Sequence, residues 1–167
     1  WNTNGGVASV FTIYALTEPA KGMRGISAFI VDKDTPGFVI GKREDTMGIR
    51  TVPVNELEFT DCRVPAANLL GGAEGGGFKN AMMTLDRARP GVAAQGLGLA
   101  QGAFEWAYRY ASERKQFGQP VSSFQANQFL FADMAIQIEA ARQLVYHSAR
   151  LIDAGAKDIS KPAAMAK

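Results

Sequence analysis

The sequence predicts an α+β protein in which an antiparallel β region, part of a barrel or sandwich, precedes long antiparallel helices of an up-and-down four-helix bundle. Three observations support this prediction. Residues 1–70 contain short runs of β-branched and aromatic residues, the run Gly71–Gly77 is rich in flexible glycines, and apolar residues recur at helical intervals from Phe78 onward. We therefore divide the chain into part of a β domain (1–70), a linker (71–77) and the first part of a helical domain (78–167).

Four segments of the β region have strand character. They are Val7–Thr17, Gly25–Val31, Phe38–Arg43 and Val54–Phe59. In the last of these, apolar and acidic residues alternate, which is typical of a strand with one face in solvent. The segment Glu18–Arg24 is predicted to connect two strands as a hairpin loop.

The helical region is predicted to contain two long helices after a first short one. Pro90 is placed in the first turn of the helix over Val92–Lys115, where its missing N–H is harmless. The next long helix runs over Phe124–Ala154, with Gly155 as a left-handed cap and another helix start at Ser160. Its predicted buried residues are Leu130, Met134, Ile138, Ala141, Val145 and Ala149. Helices of this length need further partners, so we expect the bundle to continue beyond Lys167.

Net charge and residue composition argue against several classes of protein. The formal net charge is +2, which does not favour nucleic acid or another polyanion as the main partner. A single cysteine, Cys62, rules out an internal disulfide framework and is expected to be a small buried residue in a reducing compartment. A single histidine, His147, without nearby ligands gives no metal site, and no apolar run predicts membrane insertion. Because the chain opens on Trp1, we expect it to be a piece of a longer protein.

The segment between the two long helices combines unusual polarity with a turn. Arg114 lies near a helix end, where its planar guanidinium can bind a phosphate or carboxylate through two hydrogen bonds. Ser122 and Ser123 would lie at the start of the next helix, whose first N–H groups are free to bind an anion. In the alternative interpretation, Arg114 and Lys115 offset the helix dipole and Ser122 forms a capping box with Gln125. Spacing alone favours the alternative.

Five motifs in order resemble the acyl-CoA dehydrogenase family: W-x-T-N-G, M-G-x-R, L-D-R-A-R-P, E-R-K-Q-F-G and F-Q. The likeness covers essentially the whole chain. It corresponds to the second half of the family's middle β domain and the first part of its C-terminal helical domain. The resemblance implies an FAD-dependent α,β-dehydrogenation of an acyl-CoA thioester to a trans-2-enoyl-CoA, with electrons passed to an electron-transferring flavoprotein.

The resemblance also implies a set of cofactor-binding residues. Trp1 is expected to pack near the isoalloxazine ring and Thr3 to form a hydrogen bond near flavin N5, although a frayed terminal tryptophan is the alternative on sequence alone. The residues expected to hold the diphosphate and adenosine side of FAD are Arg114, Gln116, Phe124 and Gln125. The family's arginine at this position typically reaches a neighbouring subunit's FAD, which implies a homotetramer built as a dimer of dimers.

Two further residues match positions that contact the substrate in this family. Asp86 and Arg89 correspond to residues that contact the acyl-CoA; a mutual surface ion pair is the alternative. The catalytic base is expected downstream of Lys167, so these residues carry none. Some members place it at the position here occupied by Ala88, which cannot accept a proton. We therefore expect the fragment alone to be inactive.

Two other functions remain open at this stage. An acyl-CoA oxidase or flavin monooxygenase relative would keep the fold but deliver electrons to oxygen. A non-catalytic helical assembly module would keep the fold and lose flavin. Acyl chain length is not readable from these residues, and both bacterial cytoplasm and mitochondrial matrix fit the composition.

Overall fold

The computed structural model describes residues 1–167 and confirms the predicted α+β class, with antiparallel sheets followed by a helical, bundle-like part. The chain forms two compact units, Trp1–Met82 and Met83–Lys167. No helix has the combination of length and apolar character that a membrane span needs.

The first unit contains five strands. These are β1 (Asn2–Thr3), β2 (Val10–Leu16), β3 (Ile26–Asp32), β4 (Phe38–Arg43) and β5 (Val54–Phe59). One sheet has the order β1-β5-β4 and the other is the hairpin β2-β3, and all pairs are antiparallel. The bounds of β4 and β5 agree with the sequence prediction. β2 begins later than predicted because the N–H groups of Val7 and Ala8 donate to the Asn4 carbonyl in a turn (3.0 and 2.9 Å).

The predicted hairpin loop is a 3-10 helix, Pro19–Gly25, and it does connect the antiparallel strands β2 and β3. Inside the first unit, Phe11, Val31 and Phe38 form the buried core. The rings of Phe11 and Phe38 meet edge to face with centroids 4.9 Å apart. Cys62 is a free, half-buried cysteine that packs against this cluster.

The glycine-rich segment packs closely against β3. The Gly75 N–H donates to the Ser27 hydroxyl oxygen (2.9 Å). A Cβ added at Gly77 would lie 2.6 Å from the backbone carbonyl carbon of Ser27, so only glycine fits there without a shift. The role of residues 71–77 as a linker stays a prediction, and this close approach is a second reason for glycine in the segment.

The helical region begins with one continuous helix, α1 (Gly77–Glu113), which contains Pro90. The predicted helix break before Pro90 is therefore wrong. Proline has no N–H to donate to the carbonyl of Asp86, four residues earlier, so the helix loses one hydrogen bond. The apolar periodicity on both sides of Pro90 outweighs that loss, and Pro90 itself is buried.

Two more helices complete the second unit, α2 (Gln125–Asp153) and α3 (Ser160–Ala166). α1 and α2 run antiparallel, since Tyr108 contacts Phe131 (ring centroids 5.3 Å) while Gln101, earlier in α1, accepts a hydrogen bond from Arg142, later in α2 (2.8 Å). As predicted, Gly155 ends α2 in a left-handed conformation with φ of 66°.

Several residues predicted to be buried in α2 are open to solvent in this chain. Val145 is buried, whereas Leu130 and Met134 are 59% and 37% exposed. Two antiparallel helices cover only one stripe of each other. The apolar groove between α1 and α2 has a volume of about 770 Å³ and is lined partly by Met134 and Val145. Continuation of the bundle beyond Lys167 stays a prediction.

A polar cluster also joins α1 to α2. Arg142 donates from Nη2 to Oε1 of Gln101 (2.8 Å) and from Nε to Oε2 of Glu139 (3.1 Å). Hydrogen bonds from Gln143, and secondly from Arg142, hold the pKa of Glu139 below its usual value. Glu139 therefore stays charged and keeps Arg142 in place between the helices.

Two glycine substitutions in α1 should change stability in opposite directions. Gly77→Ala forces a Cβ against the Ser27 backbone and should lower the free energy of unfolding by about 1–3 kcal/mol. Gly98→Ala, at a position where a Cβ meets no atom within 4 Å, should raise it by up to about 1 kcal/mol through helix propensity. Urea unfolding followed by circular dichroism measures both. Equal effects of the two substitutions would contradict the packing argument at Gly77.

Candidate functional site

The connection between α1 and α2 is a short β-hairpin. The strands β6 (Lys115–Gln116) and β7 (Gln119–Pro120) pair antiparallel, and the Val121 N–H donates to the Arg114 carbonyl (2.8 Å). We call residues Arg114–Gln125 the elbow. It brings together the predicted cofactor residues of the second unit, which are Arg114, Gln116, Phe124 and Gln125.

The tip of the elbow carries a strained aromatic residue that the sequence reasoning did not single out. Phe117 has φ of 52° and is 92% exposed, and the next residue, Gly118, has φ of 82°. A positive φ is unfavourable for a bulky residue, and such strain collects at functional positions. The Phe117 ring stands nearly perpendicular to the half-buried Phe124 ring, with centroids 6.3 Å apart. In the sequence, the aromatic Phe117 directly before Gly118 was the signal that could have indicated this strained turn.

The start of α2 has no side-chain cap. Phe124 is the N-cap residue, while Ser122 and Ser123 lie in a 3-10 turn, so the predicted capping box does not form and the serines do not open the helix. The Ser123 hydroxyl donates instead to the Pro120 carbonyl (2.6 Å). The backbone N–H groups of Gln125 and Ala126 have no partner in the chain. These free donors and the helix dipole give this end of α2 a positive potential.

Arg114 adds a full charge to the same region. Its side chain is exposed and forms no ion pair or hydrogen bond within the chain. Lys115, Gln116 and Gln125 are exposed as well. A planar guanidinium without an internal partner, next to an uncapped helix start, is suited to binding a phosphate or carboxylate.

In the first unit, Trp1 directly precedes strand β1 and Thr3 is the last residue of β1, at the edge of the β1-β5-β4 sheet. Both are exposed, Trp1 by 82%. The Trp1 Nε1 donates to Oε1 of Glu44 (3.2 Å), and Thr3 pairs with Val54 in β5. The strand pairing and the hydrogen bond hold both side chains on the surface of this unit.

Asn55 lies beside β1 and the turn that follows it, and was missed by the sequence reasoning. It is buried, pairs with Asn2, and donates from Nδ2 to the Gly41 carbonyl (3.3 Å). An added Cβ at Gly5 would lie 2.9 Å from the Asn55 Cβ, and one at Gly6 would lie 3.0 Å from the Asn55 Oδ1. This Oδ1 is buried and has no hydrogen-bond partner. A polar residue at an inward position of an alternating strand was the signal for such a role.

Asp86 and Arg89 meet on one side of α1. Arg89 Nη1 donates to Asp86 Oδ1 as an i,i+3 ion pair, and the two side chains are 33% and 16% exposed, respectively. The Ser160 hydroxyl donates to the other carboxylate oxygen, Asp86 Oδ2. The mutual ion pair considered on sequence grounds therefore forms, and the remaining N–H donors of Arg89 have no partner within the chain.

The candidate residues fall into three groups. Trp1 and Thr3 belong to the first unit, whereas the elbow and the Asp86–Arg89 pair belong to the second. Arg89 and Arg114 are 25 residues apart along α1, which separates them by roughly 37 Å at the rise of an α-helix. No group of three or more His, Cys, Asp or Glu side chains is placed to hold a metal ion.

Two family models match the chain. The model described as the acyl-CoA dehydrogenase middle domain matches residues 1–62, and the model of the acyl-CoA dehydrogenase C-terminal domain matches residues 75–167. Together they account for most of the sequence.

Individual relatives agree with these matches. The chain is 54% identical to the acryloyl-CoA reductase (NADH) of Anaerotignum propionicum over 99% of its own length and 41% of the relative's. The solved butyryl-CoA dehydrogenase of Megasphaera elsdenii is 52% identical with a TM-score of 0.93, over 98% of this chain and 42% of that chain. A chain in a solved structure of the electron transferring flavoprotein of Acidaminococcus fermentans is 55% identical with a TM-score of 0.92, over 98% and 43%. The chain thus spans less than half the length of these relatives.

Phe117→Asn should stabilise the elbow. Asparagine tolerates positive φ better than phenylalanine, and the Phe117 ring is almost fully exposed. The free energy of unfolding should therefore rise by about 0.5–1 kcal/mol. Urea unfolding curves of the two proteins measure the difference. A fall of similar size would mean that the ring contact with Phe124 outweighs the backbone strain.

Proposed function

This chain belongs to the acyl-CoA dehydrogenase family, and from that premise we propose that the whole protein catalyses the FAD-dependent α,β-dehydrogenation of an acyl-CoA thioester. The product is a trans-2-enoyl-CoA. The observation that carries the proposal is the elbow, where the unpaired guanidinium of Arg114 lies beside the uncapped start of α2. An ion pair or hydrogen bond within the chain would have given these groups partners, and none is present.

The residues of the elbow fit the diphosphate and adenosine side of FAD. Arg114 would grip diphosphate oxygens through its planar fork, and the free N–H groups of Gln125 and Ala126 would add donors. Gln116 and Gln125 offer both donors and acceptors to the adenosine. Phe124 and the exposed ring of Phe117 offer apolar surface beside them.

Trp1 and Thr3 would face the flavin ring. When bound, FAD supplies the acceptor for the hydride that leaves the β carbon of the substrate. The flat indole of Trp1 would exclude water from the ring, and the hydroxyl of Thr3 would donate a hydrogen bond near N5. Trp1 is fixed by its hydrogen bond to Glu44 and Thr3 by its pairing with Val54. This supports these roles because a side chain that is already positioned loses little entropy on binding.

Asp86 and Arg89 would contact the acyl-CoA. Arg89 keeps most of its N–H donors open while Asp86 holds one of them, so the guanidinium is both oriented and available. We assign no catalytic base to residues 1–167 and place it in another part of the whole protein. Ala88, which lies between Arg87 and Arg89, cannot remove a proton. Residues 1–167 by themselves would then bind cofactor and substrate without turnover.

A homotetramer follows from the same assignment. The separation of roughly 37 Å between Arg89 and Arg114 at the rise of an α-helix supports two different ligand sites, one within α1 at Arg89 and one just beyond its C-terminal end at Arg114. We place the acyl-CoA of one subunit near Arg89 and the FAD of a neighbouring subunit at Arg114. A dimer of dimers allows each subunit to give its elbow to a neighbour.

We propose an electron-transferring flavoprotein as the electron acceptor. The likeness to a chain in the structure of the Acidaminococcus fermentans electron transferring flavoprotein supports this choice. The free, half-buried Cys62 is compatible with a reducing compartment, the bacterial cytoplasm or the mitochondrial matrix.

The acceptor can be tested with the full-length protein. Anaerobic reduction with an acyl-CoA, followed by rapid mixing with oxygen, should give slow reoxidation of the flavin, because the reduced site is expected to be shielded from solvent. Stopped-flow absorbance measures the rate. Fast reoxidation would favour an acyl-CoA oxidase or flavin monooxygenase, and a colourless protein that takes up no FAD would favour a non-catalytic assembly module.

The role of the elbow can be tested by two neighbouring cations. Arg114→Ala should weaken FAD binding about tenfold or more, because it removes a charged, fork-shaped donor from the diphosphate site. Lys115→Ala is the matched control, since Lys115 is adjacent and equally exposed but is not assigned to the cofactor. Fluorescence titration of the apoprotein with FAD measures both affinities. Equal losses would assign Arg114 to the helix dipole alone.

A further inference from the structure

The carboxylate of Asp86 is shared between two donors. Its Oδ1 accepts from Arg89 Nη1, and its Oδ2 accepts from the hydroxyl of Ser160 at the start of α3. The two donors are 71 residues apart in the sequence. The shared carboxylate therefore ties the predicted substrate side of α1 to the first turn of α3.

Ser160 is held in position independently of Asp86. Its backbone N–H donates to Asp158 Oδ1 (3.1 Å), and Gly155 with φ of 66° reverses the chain after α2. One turn later, Ala163 is completely buried. The Ser160 hydroxyl is therefore presented to Asp86 by a fixed backbone.

Two further cations lie near the same carboxylate. Arg87 and Lys157 line a small cleft of about 80 Å³ together with Asp86 and Ser160. If Oδ2 had no donor, a second N–H of Arg89 or one of these cations would compete for it. A neutral hydroxyl at Oδ2 satisfies that oxygen without adding charge.

We propose that Ser160 is a positioning residue for the substrate contact. By donating to Oδ2, its hydroxyl competes with a second Arg89 donor for that oxygen and favours the single-oxygen contact that Arg89 makes with Oδ1. Arg89 then keeps the rest of its guanidinium fork directed at the acyl-CoA. This inference rests on the proposed function, because it assumes that Arg89 binds an acyl-CoA.

Three substitutions at Ser160 in the full-length holoenzyme test the inference. Ser160→Ala should raise KM for the acyl-CoA by about three- to tenfold, the range set by loss of one hydrogen bond, while kcat changes by less than about twofold. Ser160→Thr, which keeps the hydroxyl, should restore the wild-type KM. Ser160→Cys keeps the side-chain size but has only a weak donor, and should give the same rise in KM as alanine.

Lys161→Ala is the control for the helix start, because Lys161 lies in the first turn of α3 and is exposed. It should leave KM unchanged. Flavin absorbance and Tm, measured for every variant, should stay at wild-type values.

Three results would overturn the inference. They are an unchanged KM in Ser160→Ala, a threonine variant as impaired as the alanine variant, or a rise in KM that Lys161→Ala reproduces. Failure of the proposed function itself would appear in the wild-type protein, as an absence of flavin reduction by any acyl-CoA.

Discussion

The hydrogen bond from the Val121 N–H to the Arg114 carbonyl closes the hairpin between the two long helices. Because the hairpin is so short, α2 must run back along α1, and the aromatic contacts of Phe131 follow from that direction. The same closure is followed by a 3-10 turn in which the Ser123 hydroxyl donates to the Pro120 carbonyl, so the start of α2 stays without a side-chain cap. A tight reversal and an open, positively charged helix start are therefore combined in one short segment.

The three candidate groups share a physical design in which the backbone is fixed and the side chain is left with unused hydrogen-bonding capacity. Thr3 is held by strand pairing and Trp1 by its hydrogen bond to Glu44, Arg114 follows a long helix, and Arg89 is oriented by one carboxylate oxygen. Groups that are fixed before the ligand arrives lose little entropy on binding. This is the arrangement expected of a binding surface, and it contrasts with the Arg142 cluster, whose members satisfy one another.

Local patterns predicted the fold class and the bounds of β4 and β5, because alternation and turn residues act over a few positions. Prediction from the sequence was wrong where residues outside the short local pattern decide the outcome. Pro90 stays within a helix because both flanks are strongly helical, and Leu130 remains exposed because one neighbouring helix cannot cover it. The inward polar position of Asn55 was a local signal, but its neighbours, the turn at Gly5 and Gly6, lie far away in the chain. Ser160 could not be assigned from local pattern, because its partner is the carboxylate of Asp86, 74 residues earlier. The roles of the matched motif residues came from resemblance, and spacing alone had favoured a capping box that does not form.

Pro90 has a mechanical consequence for α1. The missing N–H frees the main-chain oxygen of Asp86, the residue whose carboxylate already joins Arg89 to Ser160. Helix α1 is thus most flexible at the turn that carries the Asp86–Arg89 ion pair. The part of α1 that packs on Phe131 keeps all of its backbone hydrogen bonds. A small change in axis direction there would move Arg89 without disturbing the aromatic contacts closer to the elbow, so the two proposed ligand sites could adjust separately.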